Sequence, residues 1–314
     1  MKINTQPFFN SQLSGMSDLQ TRIGRLQEEI STGKKLLQPS DDPAGYIKVQ
    51  GLKQSQSAFN QYDRNIGVAT QRLSQEDSVL KEVVNSATRL QELAIQGANG
   101  TNDASSRAAL VSEMQQVSDQ LATLGNSVDS NGDYIFSGYQ SKIQPFATDS
   151  LGIVSYKGDS GRREVEIAKG VTTPTSSSGS EIFMKVSGPN GAPSKPIFDM
   201  IRTAIAALNQ ADSTDPVAQT AINKARTDAV ADMKAAVEHF STYQTICGSR
   251  QQKVDSVQQI GQSAITSAKI MQSSIEDAKI EDVATELSQK TLNLNASQTS
   301  FTRIAQLTLF NYLK

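Results

Sequence analysis

Apolar residues recur at every seventh position at both ends of this 314-residue chain. Phe9, Met16, Ile23 and Ile30 step by seven near the start, with Leu19 and Leu26 at intermediate positions. Ile280, Leu287, Leu294 and Phe301 do the same near the end. A step of seven is the repeat of a helix that buries one narrow seam against another helix. Residues 280–314 contain neither Pro nor Gly, so nothing in them interrupts a helix. These eight seam residues form the expected assembly interface, and the chain between them is the expected carrier.

The first helix is expected to stop at Gly33 and Pro39, and a second to start near Pro43, capped by Ser40 or Asp41. Gly33, Asp41, Asp42 and Pro43 thus mark an interhelix loop. From Pro43 to about Ala98, Leu52, Phe59, Ile66, Leu73, Leu80, Ala87 and Ala94 keep an unbroken step of seven. Tyr62, Ala69, Val83 and Leu90 fill much of the companion seam. A third helix follows over Leu110, Met114, Val117, Leu121, Leu124 and Val128, and a short one over Ile197, Ile201, Ile205 and Leu208. Beyond Asp215-Pro216, two parallel seams run to Met271 and Ile275, with Gly248 and Gly261 as weak points.

Between the helices the period changes. Residues 134–136, 153–156, 164–167 and 182–186 have the apolar content of short strands. Gly158-Asp159-Ser160-Gly161 is expected to turn the second and third into a hairpin. The fold class is therefore mainly α, a long coiled-coil-like bundle built from the N- and C-terminal segments, with a small central β-rich domain. The expected division is terminal assembly helices (1–40 with 276–314), a helical bundle (41–132 with 194–275) and the β-rich outer domain (133–193).

Composition narrows the function. A net charge of −2 with scattered Lys and Arg provides no basic stripe for nucleic acid. No apolar run approaches the length of a membrane span, so membrane insertion is not expected. Cys247 stands alone, which excludes an internal disulfide and by itself favours a reducing compartment, although exported proteins also lack disulfides. The opening residues lack the apolar stretch and cleavage site of a standard signal peptide.

The candidate chemistry is weak. Ser160 sits in a turn resembling a nucleophile turn, but its base would have to be His239, which lies in a helical run beside Phe240 with no acidic partner to place. Gly33-Lys34 lacks the earlier Gly and the strand of a phosphate loop. Asp41 and Asp42, as adjacent carboxylates, point apart and suit capping better than a cation. Asp129, Asn131 and Asp133 begin like a calcium loop, but Tyr134 stands where that loop needs Gly. Cys247, Met114, Met233 and Met271 fall on seams and read as core. Neither an enzyme nor any cofactor or metal is expected.

The terminal stretches pose an energetic problem. Ordering a helix of this length costs backbone entropy of the same order as its seam burial and hydrogen bonds return. Pairing the two ends leaves Leu307, Leu309, Phe310 and Leu313 uncovered. The termini are therefore expected to be loose in the monomer and ordered by assembly.

Four motifs carry a family resemblance: Ser31-Thr32-Gly33-Lys34-Lys35 with Asp41-Asp42-Pro43-Ala44-Gly45, then residues 89–101, residues 277–286, and the ending 307–313. In this order they resemble the bacterial flagellin superfamily, over about residues 1–140 and 195–314. Pro43, the 132–138 segment leading to Pro145-Phe146, and the opening Met1-Lys2-Ile3-Asn4-Thr5 are more similar to its hook–filament junction proteins.

The resemblance implies a homo-oligomeric subunit of a tubular extracellular assembly, exported unfolded by the flagellar type III apparatus without a cleaved signal peptide. It implies the first hook-associated protein and flagellin as neighbours, and an export chaperone holding the C-terminal helix. The alternatives are a short filament flagellin and, in a different class, a cytoplasmic coiled-coil scaffold. The scaffold accounts for the heptads and leaves the four ordered motifs unexplained.

Overall fold

Pro43 begins the second helix because its missing N–H falls where a helix has no partner to offer, and Asp42 supplies the cap just before it. The computed structural model describes residues 5–100, 102–150, 152–189 and 192–312, with side chains described between Pro7 and Ile304. Among these, seven helices run α1 (Thr5–Thr32), α2 (Pro43–Ala98), α3 (Ala104–Gly125), α4 (Gly179–Phe183), α5 (Ile197–Asn209), α6 (Pro216–Glu276) and α7 (Ile280–Tyr312). Four strands, β1 (Phe146–Thr148), β2 (Val154–Tyr156), β3 (Glu164–Ala168) and β4 (Val171–Pro174), form two antiparallel pairs. The chain is mainly α with a small β-rich centre. It divides into two compact units, residues 1–58 with 263–314, and residues 59–262.

The 59–262 unit is built on seams of α2 and α6. Ile66, Ala69, Leu73, Leu80, Val83, Ala87, Leu90 and Ala94 are buried on α2, and Met233, Phe240, Cys247 and Val254 at steps of seven on α6. Gly248 and Gly261 do not interrupt α6, which stays continuous over 61 residues. Arg226, one heptad before Met233, is also buried, its guanidinium bonded to Asp212 Oδ1 (2.8 Å) and to the Gln210 carbonyl (2.8 Å). Arg107 of α3 reaches the other oxygen of Asp212 (3.0 Å), so one carboxylate ties two buried arginines to the loop before α6.

The strand pairing corrects the sequence reading. Val154–Tyr156 pairs with Phe146–Thr148, and Glu164–Ala168 pairs with Val171–Pro174, so 158–161 joins no hairpin. Instead Asp159 Oδ1 accepts from the amides of Gly161 (2.6 Å) and Tyr139 (3.0 Å), tying two loops together. The turn between β3 and β4 uses Gly170 at φ 72°, a left-handed conformation that suits glycine, and Glu166 accepts its amide at 2.8 Å. Residues 134–136 are not a strand, and 182–186 does not extend as one: Ser178 caps a short helix there, and Ile182 and Phe183 are fully buried.

An aromatic chain explains that outcome. Phe183 packs against Phe136 (5.6 Å), Phe146 (5.0 Å) and Phe240 (5.7 Å), and Phe146 against Tyr156 and Phe198. Burying these rings together outweighs the β propensity of any three-residue run.

Candidate assembly interface and interhelix loop

α1 and α7 run antiparallel. Phe9 meets Phe301 edge-on at 5.4 Å between ring centres, and Arg22 meets Glu286. At the far end Lys34 forms a backbone bridge with Asp277. The Phe9–Phe301 offset sets Met16 opposite Leu294 and Ile23 opposite Leu287, so three residues of each heptad set share one seam.

Burial within the seam is partial. Phe9, Met16, Leu19, Ile23 and Ile30 on α1 are half-buried and Leu26 is fully buried; Leu287, Leu294 and Phe301 on α7 are half-buried. Ile280 opens α7 and stands 44 % exposed, while Val283 takes the buried position of that turn. The α7 seam thus continues as Val283, Leu287, Lys290, Leu294, Ser297 and Phe301, with polar residues at alternate positions. Phe8, Leu13, Leu292 and Ile304 remain exposed on this pair. The side chains of Leu307, Leu309, Phe310 and Leu313 lie outside the described residues.

Charged groups flank the seam. Arg22 donates from Nε to Glu286 Oε1 (2.9 Å) and from a terminal nitrogen to Oε2 (2.8 Å), a two-pronged pair. It holds the Arg22 guanidinium above, and the Glu286 carboxyl below, their ordinary ranges. Sequence reasoning did not select either residue. The available signal was their position next to seam residues Ile23 and Leu287, where coiled coils carry their partner-choosing charges.

The loop at 33–42 closes onto the break between α6 and α7. Gly33, at φ 71°, ends α1 in the left-handed conformation and accepts the Ala278 amide on its carbonyl (2.9 Å). Lys35 donates its amide to the Glu276 carbonyl at 2.9 Å. The Glu276 side chain is buried and accepts from Lys34 (2.8 Å), Lys53 (3.2 Å) and Gln272 (2.6 Å). Burial by itself would raise the Glu276 carboxyl; the hydrogen bonds of Gln272, Lys34 and Lys53 outweigh it and hold the group at about 2.

The two aspartates divide the work. Asp41 does not cap α2: its Oδ2 accepts the Leu37 and Gln38 amides, both at 2.9 Å, and Oδ1 pairs with Arg25 at 2.8 Å. The Gln38 and Leu37 amides and Arg25 together hold its carboxyl below the usual range. The cap is Asp42, whose Oδ1 accepts the Gly45 amide at 2.9 Å. Any side chain at position 45 would collide with the Asp42 carboxylate, which explains the glycine that follows Pro43-Ala44.

The remaining candidates serve the 59–262 unit. His239 Nε2 lies 3.2 and 3.1 Å from the carbonyls of Glu181 and Ile182, and burial pushes its imidazole pKa down. The Cys247 thiol donates to the Leu73 carbonyl (3.4 Å), and burial raises it to about 12. Asp129 Oδ1 accepts the amides of Asn131 and Asp133, which shapes the loop that opens like a calcium site.

Known proteins place this architecture. Residues 3–141 match the bacterial flagellin N-terminal helical region. The flagellar hook-associated protein 3 of Salmonella typhimurium is 30 % identical, covering 99 % of both chains. That of Escherichia coli K12 is 28 % identical over the whole of both. The crystal structure of flagellar hook-associated protein 3 from Legionella pneumophila superposes with a TM-score of 0.66 at 19 % identity, over 71 % of this chain and 97 % of that one, which shows a common fold. The full-length match at this identity, on a chain with paired terminal helices and a flagellin-type first half, shows that this chain belongs to the flagellar hook-associated protein 3 family.

Proposed function

We propose that this chain is a structural, non-enzymatic subunit of the bacterial flagellum that joins hook to filament and assembles through α1 and α7. The observation that carries the reading is the seam itself: it is only half covered within one chain, and Phe8, Leu13 and Leu292 beside it are 42, 52 and 69 % exposed. A row of exposed apolar groups along two paired helices calls for further helices to cover it. In a tubular homo-oligomer the equivalent helices of neighbouring copies supply that cover. The first hook-associated protein lies on one side of the layer and flagellin on the other.

On this reading Phe9, Met16, Ile23, Ile30, Ile280, Leu287, Leu294 and Phe301 form the assembly interface, and the 1–40 and 276–314 segments order fully only on assembly. Residues 41–132 with 194–275 act as the bundle and 133–193 as the outward-facing part. The subunit is extracellular, exported through the flagellar type III apparatus, with a chaperone holding the C-terminal helix beforehand. Leu294→Asp places a charge in the seam and tests the reading. Loss of motility, with bare hooks and flagellin shed into the medium while the 59–262 unit melts as before, is expected. Retained motility refutes it.

A further inference from the structure

A seam that repeats every seven residues does not define its own register. Sliding α1 by one heptad along α7, about 10 Å, sets Met16 opposite Phe301, Ile23 opposite Leu294 and Ile30 opposite Leu287. Sliding the other way sets Phe9 opposite Leu294, Met16 opposite Leu287 and Ile23 opposite Ile280. Either shift keeps three apolar pairings, and the alternate α7 positions, Lys290 and Ser297, are too polar to discriminate. The ten residues between α1 and α2 are long enough to permit such a shift once the Gly33–Ala278 and Lys35–Glu276 backbone bonds at the end of the pair are released.

The flanking charges break this degeneracy. In the observed register Arg22 lies against Glu286, and Arg22 also stands 3.6 Å from the buried Glu29 of its own helix. The first slipped register brings Glu286 opposite Glu29, a like-charge meeting at a buried carboxylate, and leaves Arg22 opposite Asn293. The second brings Arg22 opposite Lys279 and leaves Glu286 opposite Gly15. Each alternative therefore exchanges one attraction for one repulsion, which is how helical pairs reject wrong alignments. Resting on the assembly reading above, we propose that Arg22, Glu29 and Glu286 are the specificity-determining residues that select the register of α1 against α7.

Charge exchange tests this in cells carrying the full-length chain. Arg22→Glu and Glu286→Arg are each expected to abolish swimming. Arg22→Ala, which removes the attraction and adds no repulsion at Glu286, is expected to reduce it only in part. The double variant R22E/E286R remakes the native pair. It also sets its new arginine against Glu29 in the first slipped register and its new glutamate against Lys279 in the second, so it is expected to recover swimming only in part. Adding Glu29→Gln and Lys279→Gln to the double variant removes both competing attractions and is expected to recover more of the swimming. The inference is overturned if the single charge changes are silent, or if the fourfold variant swims no better than the double. Loss of swimming in Leu294→Asp alongside silent charge variants sinks the register inference alone, whereas a silent Leu294→Asp sinks the assembly reading itself.

Discussion

Phe183→Ala is the sharpest probe of how the small β-rich centre is held. Phe183 is fully buried and touches rings from three other places in the chain: Phe136 in the 134–136 segment, Phe146 of β1 and Phe240 of α6. Truncating a buried Phe to Ala costs about 3–5 kcal/mol. Three ring contacts, each adding about 0.5–1.5 kcal/mol beyond area, place this site in the upper half, about 4–5 kcal/mol. Residues 59–262 form one compact unit. For a unit of that size each kcal/mol lowers the melting temperature by about 2–4 °C, so a fall of about 8–20 °C follows. Calorimetry on the purified protein reads this directly. If the strands and the α2–α6 seams share one core, the main transition moves as a whole. A shift of only a degree or two, or a small early transition splitting away from an unchanged main one, would refute the shared core.

Two further outcomes concern the interhelix loop. Glu276 sits at about 2 in the folded chain against 4.5 for a free glutamate. Its folded pKa is depressed, so its contribution is present above about 4.5 and lost as pH falls from there toward 2. Discounted for lysine partners that are themselves over 40 % exposed, this is worth about 2–3 kcal/mol. Acid titration of amide exchange in residues 33–42 should show protection lost in that window, and Glu276→Gln should show low protection at every pH. Asp42→Ala removes the α2 cap and should destabilise the first turns of α2 by about 1 kcal/mol, read as faster exchange at Gly45 and Tyr46. Asp41→Ala should leave those amides unchanged and expose Leu37 and Gln38 instead.

Much of the site was legible because its signals are periodic and local. Phe9 and Phe301, chosen on spacing alone, meet ring to ring, while Ile280, chosen the same way, stands off the seam at 44 % exposed. The loop motif was legible as punctuation, but which aspartate caps was not. Asp41 and Asp42 differ by one position, and only the direction of the turn decides which carboxylate meets the amides of α2. Glu76 shows the opposite limit. It stands on the α2 seam midway between Ala69 and Val83, fully buried, where burial pushes its carboxyl up against the pull of Ser177, Arg250 and Arg163. Spacing marked the position, but a glutamate there gave no reason to place it inside.

By itself, the sequence determined the long helices and most of the seams they bury, because a heptad repeated many times accumulates evidence within a continuous stretch of chain. Only the tertiary structure decided which short strands pair, that residues 179–183 coil into a helix, and that Val283 rather than Ile280 closes the start of the α7 seam. Strands of three to five residues carry little information of their own, and their partners are set by rings arriving from distant segments. Register is the intermediate case. The apolar repeat permits several alignments, and it takes the contact between Arg22 and Glu286, far apart in the chain and visible only once folded, to show which one is occupied.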